Sequence, residues 1–287
     1  MALTEFSPRA ATAAVCPRYA VAMTPTDDLS LALSIADEAD ALTLAGAHGD
    51  ISVEMKPDDT PVTAIDRSTE RLIRERLAQH RPLDAIVGEE YGSSGASAPS
   101  TRRWVIDPID GTKNFVAGVP VWATLIGLID GDQVTVGVVS APSLGRRWYA
   151  ARGQGAWRVS AIPGTPSQPE RLSVSTTNSL EQAAMSYSEF SEWVVAGRGE
   201  GFSALQRQVR RTRAFGDFWS YMLVAEGAMD IAAEPELDLH DMAALVPIVT
   251  EAGGAFTSLD GTPGPFGGCA VATNAVLHAQ VLELLNS

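Results

Sequence analysis

Residues 104–115 read WVIDPIDGTKNF, a strand-like apolar run, Trp104, Val105 and Ile106, that empties into two carboxylates, Asp107 and Asp110. Gly111 permits a tight turn, and Thr112, Lys113 and Asn114 read as the first turn of a helix. A strand that ends in acids and feeds a helix sets hard oxygen ligands beside free backbone N–H groups. Such a place suits divalent cations and a phosphate. The same string is also good turn sequence, because Asp, Pro and Gly each favour turns for separate reasons. Other acids must decide between the two readings.

Three further segments supply them. DAIVGEEYG, Asp84 to Gly92, suggests a buried strand, Ala85, Ile86 and Val87, that ends in a glycine and the pair Glu89 and Glu90. LHDMAALVPIVTEAGG, Leu239 to Gly254, opens a helix-like segment near Asp241 and closes it at Gly253 and Gly254. KPDDTPVTAIDRSTE, Lys56 to Glu70, places Asp66 at a helix start and Glu70 one turn on. Each segment by itself reads as ordinary capping, since acids are common in first turns. Their recurrence points to one shared site.

The strings GEE at 88–90, DPIDGTKNF at 107–115 and HDMAALVPIVTEAGG at 240–254, in this order, resemble the signatures of the inositol monophosphatase family, with a likeness that spans roughly Asp28 to the C-terminus. KPDDTPVTAIDRSTE, DPIDGTKNFVAGVPVWATLI, GDFWSYMLVAEGAMDIAAEPE and ATNAVLHAQVLELLNS resemble in particular the actinobacterial-type histidinol-phosphate phosphatases within it. The resemblance implies a layered αβαβα sandwich and a Mg2+-dependent phosphate monoester hydrolase with two or three cations, Mn2+ being an alternative. It implies Glu89, Asp107 and the carbonyl of Ile109 as ligands of one ion, and Asp107, Asp110 and Asp241 as ligands of a second. Thr112 and Glu89 would orient and deprotonate the attacking water, without a covalent intermediate. The N–H groups of Gly111 and Thr112 would grip the phosphate. Lys56, Asp66 and Glu90 would support this shell, the first two beside a loop at Pro57 to Pro61.

The leaving group falls, by the same resemblance, to Gly216, Asp217, Phe218 and Glu234. Two of these are acids, which suits an alcohol that carries an ammonium, such as histidinol, better than a neutral polyol, because charge-assisted hydrogen bonds are the stronger ones. Inositol 1-phosphate is the alternative substrate, and a nucleotide 3'-phosphate or sugar bisphosphate a further one. Trp219 and Tyr221 read as core rather than as ring-stacking residues. The family usually has Trp where this chain has His240, which we read as a wall residue beside Asp241. His48, His80 and His278 show no ligand spacing. Some family members also bind the transcription machinery, so an interaction role is the non-enzymatic alternative. The resemblance further implies a homodimer.

Composition narrows the setting. A net charge of −14 disfavours nucleic acid and repels a phosphorylated substrate unless bound cations reverse the local sign. No apolar run approaches the ~20 residues needed to span a bilayer. Cys16 and Cys269 lie far apart, with no pattern of a disulfide framework or zinc cluster, and a reducing cytoplasm is the expected home.

The elements that must carry these acids are legible in outline. Leu31, Ile35, Ala39 and Leu42 predict a helix over Asp28 to Ala47 with Thr26 or Asp27 as cap, and Ile65, Leu72, Ile73 and Leu77 predict another over Thr63 to Gln79. Trp122 to Ile129 and Val134 to Ser140 predict a hairpin about Asp130 and Gly131. Residues 1–22 read as a disordered extension, with Met23 as a candidate native start and a transit peptide as the lesser reading. Residues 23–160 are expected to form an α+β lobe with most metal ligands. The proline-marked stretch Ser160 to Glu170 is expected to join it to an α/β lobe, 171–287, that carries Asp241 and the substrate pocket and opens with a strand at RLSVS, 171–175.

Overall fold

A computed structural model describes residues 27–47, 49, 53–56, 61–94, 101–160 and 168–287. The extension at 1–22, Met23, Thr26, His48, the loop residues 57–60 and most of the expected junction, 161–167, lie outside them.

An eight-stranded sheet runs, in spatial order, Gly92–Ser94, Ala85–Gly88, Arg102–Asp110, Ala123–Asp130, Gln133–Ala141, Arg146–Ala151, Ala156–Ser160 and Glu170–Arg171. Only the pair Ala85–Gly88 and Arg102–Asp110 is parallel. The expected hairpin is present, with Asp130 opposite Gln133 across Gly131 and Asp132. A five-stranded sheet follows in the order Arg211–Arg213, Ala184–Ser186, Ile231–Glu234, Ala270–Thr273 and Ala255–Thr257.

Period-two alternation divides the large sheet between two cores. From Ala123–Asp130, Ile126 and Leu128 pack with the helices Asp27–Ala47 and Ala64–His80, through Leu29, Ile35, Ile73 and Leu77. Ala123 and Leu125 face the other way, toward Phe218, Met222, Leu245 and Ile248 of the central helices Asp217–Ala225 and Leu245–Glu251. Those helices in turn cover Ala232, Ala270 and Ala272 of the smaller sheet, whose far side, Ile231, Ala233 and Val271, meets Phe202, Leu205 and Val281 of outer helices. The result is the αβαβα sandwich.

Several local expectations need correction. The strand that carries the central motif does not stop at Ile106 but runs to Asp110, with a shift of register between Asp107 and Asp110. In the first helix Asp27 is helical rather than a cap, and Leu31 and Leu42 are only half-buried. Ile35 and Ala39 are buried as expected, and the buried stripe also takes in Leu29, Ala32, Leu33, Ala36, Asp40 and Thr43, where small side chains admit close approach to the sheet. RLSVS does not open the second sheet: Arg171 pairs with Trp157 at the edge of the first, and the smaller sheet begins at Ala184. The Asp241 segment is two helices, Leu239–Ala243 and Leu245–Glu251, rather than one.

A pair of glycines seats that segment. Gly127 and Gly137 stand opposite each other in the large sheet. A Cβ on Gly127 would lie 3.0 Å from Ala243, and one on Gly137 would collide with the Ala244 carbonyl. Bare backbone at both positions lets the helix of Asp241 rest on the sheet beside the strand of Asp107 and Asp110.

Candidate active site

Each carboxylate reaches the site from a defined local structure. Asp107 accepts the Ile109 N–H at 2.9 Å, which bends the strand where its register shifts. Asp110, at the strand end, accepts the Phe218 N–H at 2.7 Å from the first turn of Asp217–Ala225. Asp241 sits three residues after the cap Asp238 in a capping box and accepts the Asp238 N–H at 2.7 Å with Oδ2. Asp107, Asp110 and Asp241 each offer a carboxylate oxygen such that all lie within 4.8 Å of one another.

Glu89 joins them on the wall of one cavity of about 170 Å3, with Ile109, Gly111 and Thr112. Lys56 reaches both Glu89 and Glu90 at 2.7 Å, and these bonds hold its ammonium above the usual lysine range against burial. Asp66 is fully buried and accepts the Thr63 N–H at 2.9 Å and its hydroxyl at 2.5 Å. The Thr112 hydroxyl lies 2.9 Å from the Ile109 carbonyl and 3.3 Å from Asp66. Gly111 has φ +84, the left-handed conformation, and a Cβ there would come within 3.0 Å of the Val121 carbonyl. That turn starts the helix Thr112–Val116.

The electrostatics are those of charge without a counter-charge. Burial, and then the charges of Glu89, Asp110 and Asp241, push Asp107 well above the usual carboxylate range. Burial and then Asp217 and Asp241 do the same for Asp110. Burial lifts Asp241 to about 6, although His240, 3.5 Å away, opposes it. Among the described residues no lysine or arginine forms an ion pair with Asp107, Asp110 or Asp241. Oxygen-only donors gathered this closely fit a hard divalent cation rather than zinc or copper.

A larger cavity of about 450 Å3 adjoins the first, sharing Asp110, Lys113, Asp217 and Asp241 with it, and is also lined by Gly216, Phe218 and Glu234. Asp217 has φ +49, strained for a residue with a side chain, and its carboxylate accepts the Asn114 amide at 3.0 Å. Glu234 is buried, accepts the Ser188 hydroxyl at 2.6 Å and is pushed by burial up to about 8. Ser188 accepts the Asp217 N–H at 3.1 Å, so one hydroxyl ties both acids together. Ser188, Glu192 and Glu236 escaped the sequence reading, because only the fold brings them to this wall, and Asn114 was read there only as part of a helix start. Tyr221 is core, as expected, and also lines the cavity. Trp219 is partly buried against the same core.

The model of the inositol monophosphatase family matches residues 27–287. Histidinol-phosphatases of Streptomyces coelicolor and Mycobacterium tuberculosis are each 53% identical to this chain over 91% of it, and over 97% and 98% of their own lengths. Among solved structures, the Thermotoga maritima IMPase superposes with a TM-score of 0.77 at 29% identity, covering 91% of this chain and 97% of that one. With its acids gathered at the strand and helix ends described above, this chain belongs to the inositol monophosphatase family.

Proposed function

We propose that the protein is a divalent-metal-dependent phosphate monoester hydrolase that converts L-histidinol phosphate and water to L-histidinol and phosphate, a step of histidine biosynthesis. The observation that carries the reading is the convergence of Asp107, Asp110 and Asp241 beside a cavity whose leaving-group wall is acidic. The identity with proteins named histidinol-phosphatase supports the choice of substrate.

Glu89, Asp107, the Ile109 carbonyl, Asp110 and Asp241 would hold Mg2+, with Mn2+ as a substitute. Bound cations supply positive charge that attracts the phosphate, polarises the attacking water and neutralises the leaving oxygen. Thr112, oriented by Ile109 and Asp66, positions that water, and Glu89 takes its proton. The N–H groups of Gly111 and Thr112 hold phosphate oxygens. Lys56 and Glu90 keep Glu89 in place. Gly216, Asp217, Phe218 and Glu234 receive the leaving alcohol, whose ammonium matches the two acids.

We assign most ligands to a lobe built on the eight-stranded sheet, and Asp241 with Gly216, Asp217, Phe218 and Glu234 to a lobe built on the smaller sheet. We also expect a cytoplasmic homodimer; exposed Phe190, Val194 and Val195 on the helix Phe190–Val195 offer an apolar face for association. No helix among the described residues is long and apolar enough to cross a membrane. The deciding measurement is kcat/KM for L-histidinol phosphate against inositol 1-phosphate. A preference for inositol 1-phosphate would reject the proposed substrate.

A further inference from the structure

One residue on the wall of the larger cavity carries a buried polar atom that the chain leaves unsatisfied. Tyr221 is 1% exposed, and its hydroxyl is buried with no hydrogen-bond partner among the described residues. It lines the cavity together with Asp217 and Glu234. Tyr221 follows Asp217 by four positions on one helix, so both side chains leave the same face. Glu234 on the alcohol side and Asp110 and Asp241 of the acid cluster line the same cavity wall as Tyr221, so the ring stands where the two meet. The ring is fixed by apolar packing and by Phe256, 5.6 Å away. Packing alone would be served as well by phenylalanine, since a buried hydroxyl without a partner costs stability.

On the histidinol-phosphate reading of this site, we propose that Tyr221 is a specificity-determining residue whose phenolic oxygen accepts a hydrogen bond from an ammonium on the carbon next to the ester carbon. The pocket then selects 2-ammonioalkyl phosphates as a class. An ammonium has three donors, and Tyr221, Asp217 and Glu234 supply one acceptor each. A cation placed on Glu234 also restores the charge that burial disfavours.

The test compares Tyr221→Phe with wild type, both loaded with Mg2+, on L-histidinol phosphate and on 3-(imidazol-4-yl)propyl phosphate, which lacks only the amine. We expect kcat/KM for L-histidinol phosphate to fall about tenfold, with the amine-free ester changed by less than about twofold. Thermal stability should hold or rise. Equal losses on both esters, or no loss on either, overturn the contact, and so does a fall of several degrees in Tm, which marks a structural hydroxyl. A wild-type enzyme that treats the two esters alike also overturns it, even where L-histidinol phosphate is preferred to inositol 1-phosphate. A wild-type preference for inositol 1-phosphate instead removes the substrate reading on which the contact rests.

Discussion

Two groups of buried and half-buried carboxylates flank the eight-stranded sheet, and the chain treats them oppositely. On one side Arg147, 1% exposed, meets Asp40 at 2.7 Å and Asp37 at 2.8 Å, and donates to Ser140 at 2.9 Å. Ser140 in turn donates to Asp40. That network fastens the first helix to the sheet with a cation from the sequence itself. On the other side Asp107, Asp110 and Asp241 are each oriented by a neutral backbone N–H, and their charges repel one another. Where the chain supplies the counter-ion, the cluster is structural. Where it supplies only orientation, the cluster is prepared for a cation from outside.

The contrast breaks most visibly when a member of each cluster is removed. Arg147→Ala leaves Asp40 buried without its partner and should destabilise the fold by about 3–5 kcal/mol in a denaturant titration. Its kcat, measured on whatever stays folded, should be close to wild type. Asp110→Asn should do the reverse, lowering kcat/KM by at least about a hundredfold, as for loss of an electrostatic element of a site. In chelator its Tm should match or exceed that of wild type, because one buried repelling charge is gone. A large loss of stability in Asp110→Asn would place it in the same class as Asp40.

The pH dependence sharpens the same point. Asp241 is raised from an ordinary carboxylate value to about 6, and burial raises Asp107 and Asp110 well above that ordinary value too. A carboxyl raised on folding binds more protons in the native state than in the unfolded one, so it favours the fold at low pH and ceases to as it ionises. In chelator, therefore, Tm should decline as pH rises from about 4 through about 6. Mg2+ should flatten that slope by compensating the ionised acids. Identical Tm profiles with and without Mg2+ would show that the acids are not coupled to a cation.

How much of this was legible in the sequence follows from how local each feature is. Asp107, Asp110 and Glu89 stand where a short apolar run gives way to a turn or helix, and Asp241 stands at a helix start, patterns contained within a dozen residues; their roles as ligands came from the resemblance that those strings carry. The Arg147 network carries no such mark, since Asp37, Asp40, Ser140 and Arg147 meet only when a helix lies across distant strands. For the same reason Ser188 was invisible beside Glu234, and so was the contact of Asn114 with Asp217. RLSVS misled because its alternation suits a strand, yet hydrogen bonds from Leu172 and Val174 go to Ala156 and Ala252 rather than to a new sheet. Periodicity reports that a segment is half-buried; it does not say against what.

Glu70 offers the smallest and most local test of how the open cluster is held. It is fully buried and accepts the Glu90 N–H at 2.6 Å, the Tyr91 N–H at 3.3 Å and the Arg74 guanidinium at 2.6 Å. Arg74 also binds Ser94 at 2.6 Å and the Gly92 carbonyl, so the turn after Glu89 is gripped from both sides. Gly88 has no room for a Cβ, which would strike the Glu70 carboxylate. Glu70 thus sets the path of the backbone that presents Glu89 without lining the cavity itself. Glu70→Gln keeps the shape and one acceptor but loses the charge that Arg74 and the N–H groups share. The Mg2+ concentration for half-maximal activity should rise about tenfold, the low end for a group that supports a ligand, with a smaller change in KM for substrate. An unchanged Mg2+ requirement would mean that the position of Glu89 is fixed by Lys56 alone.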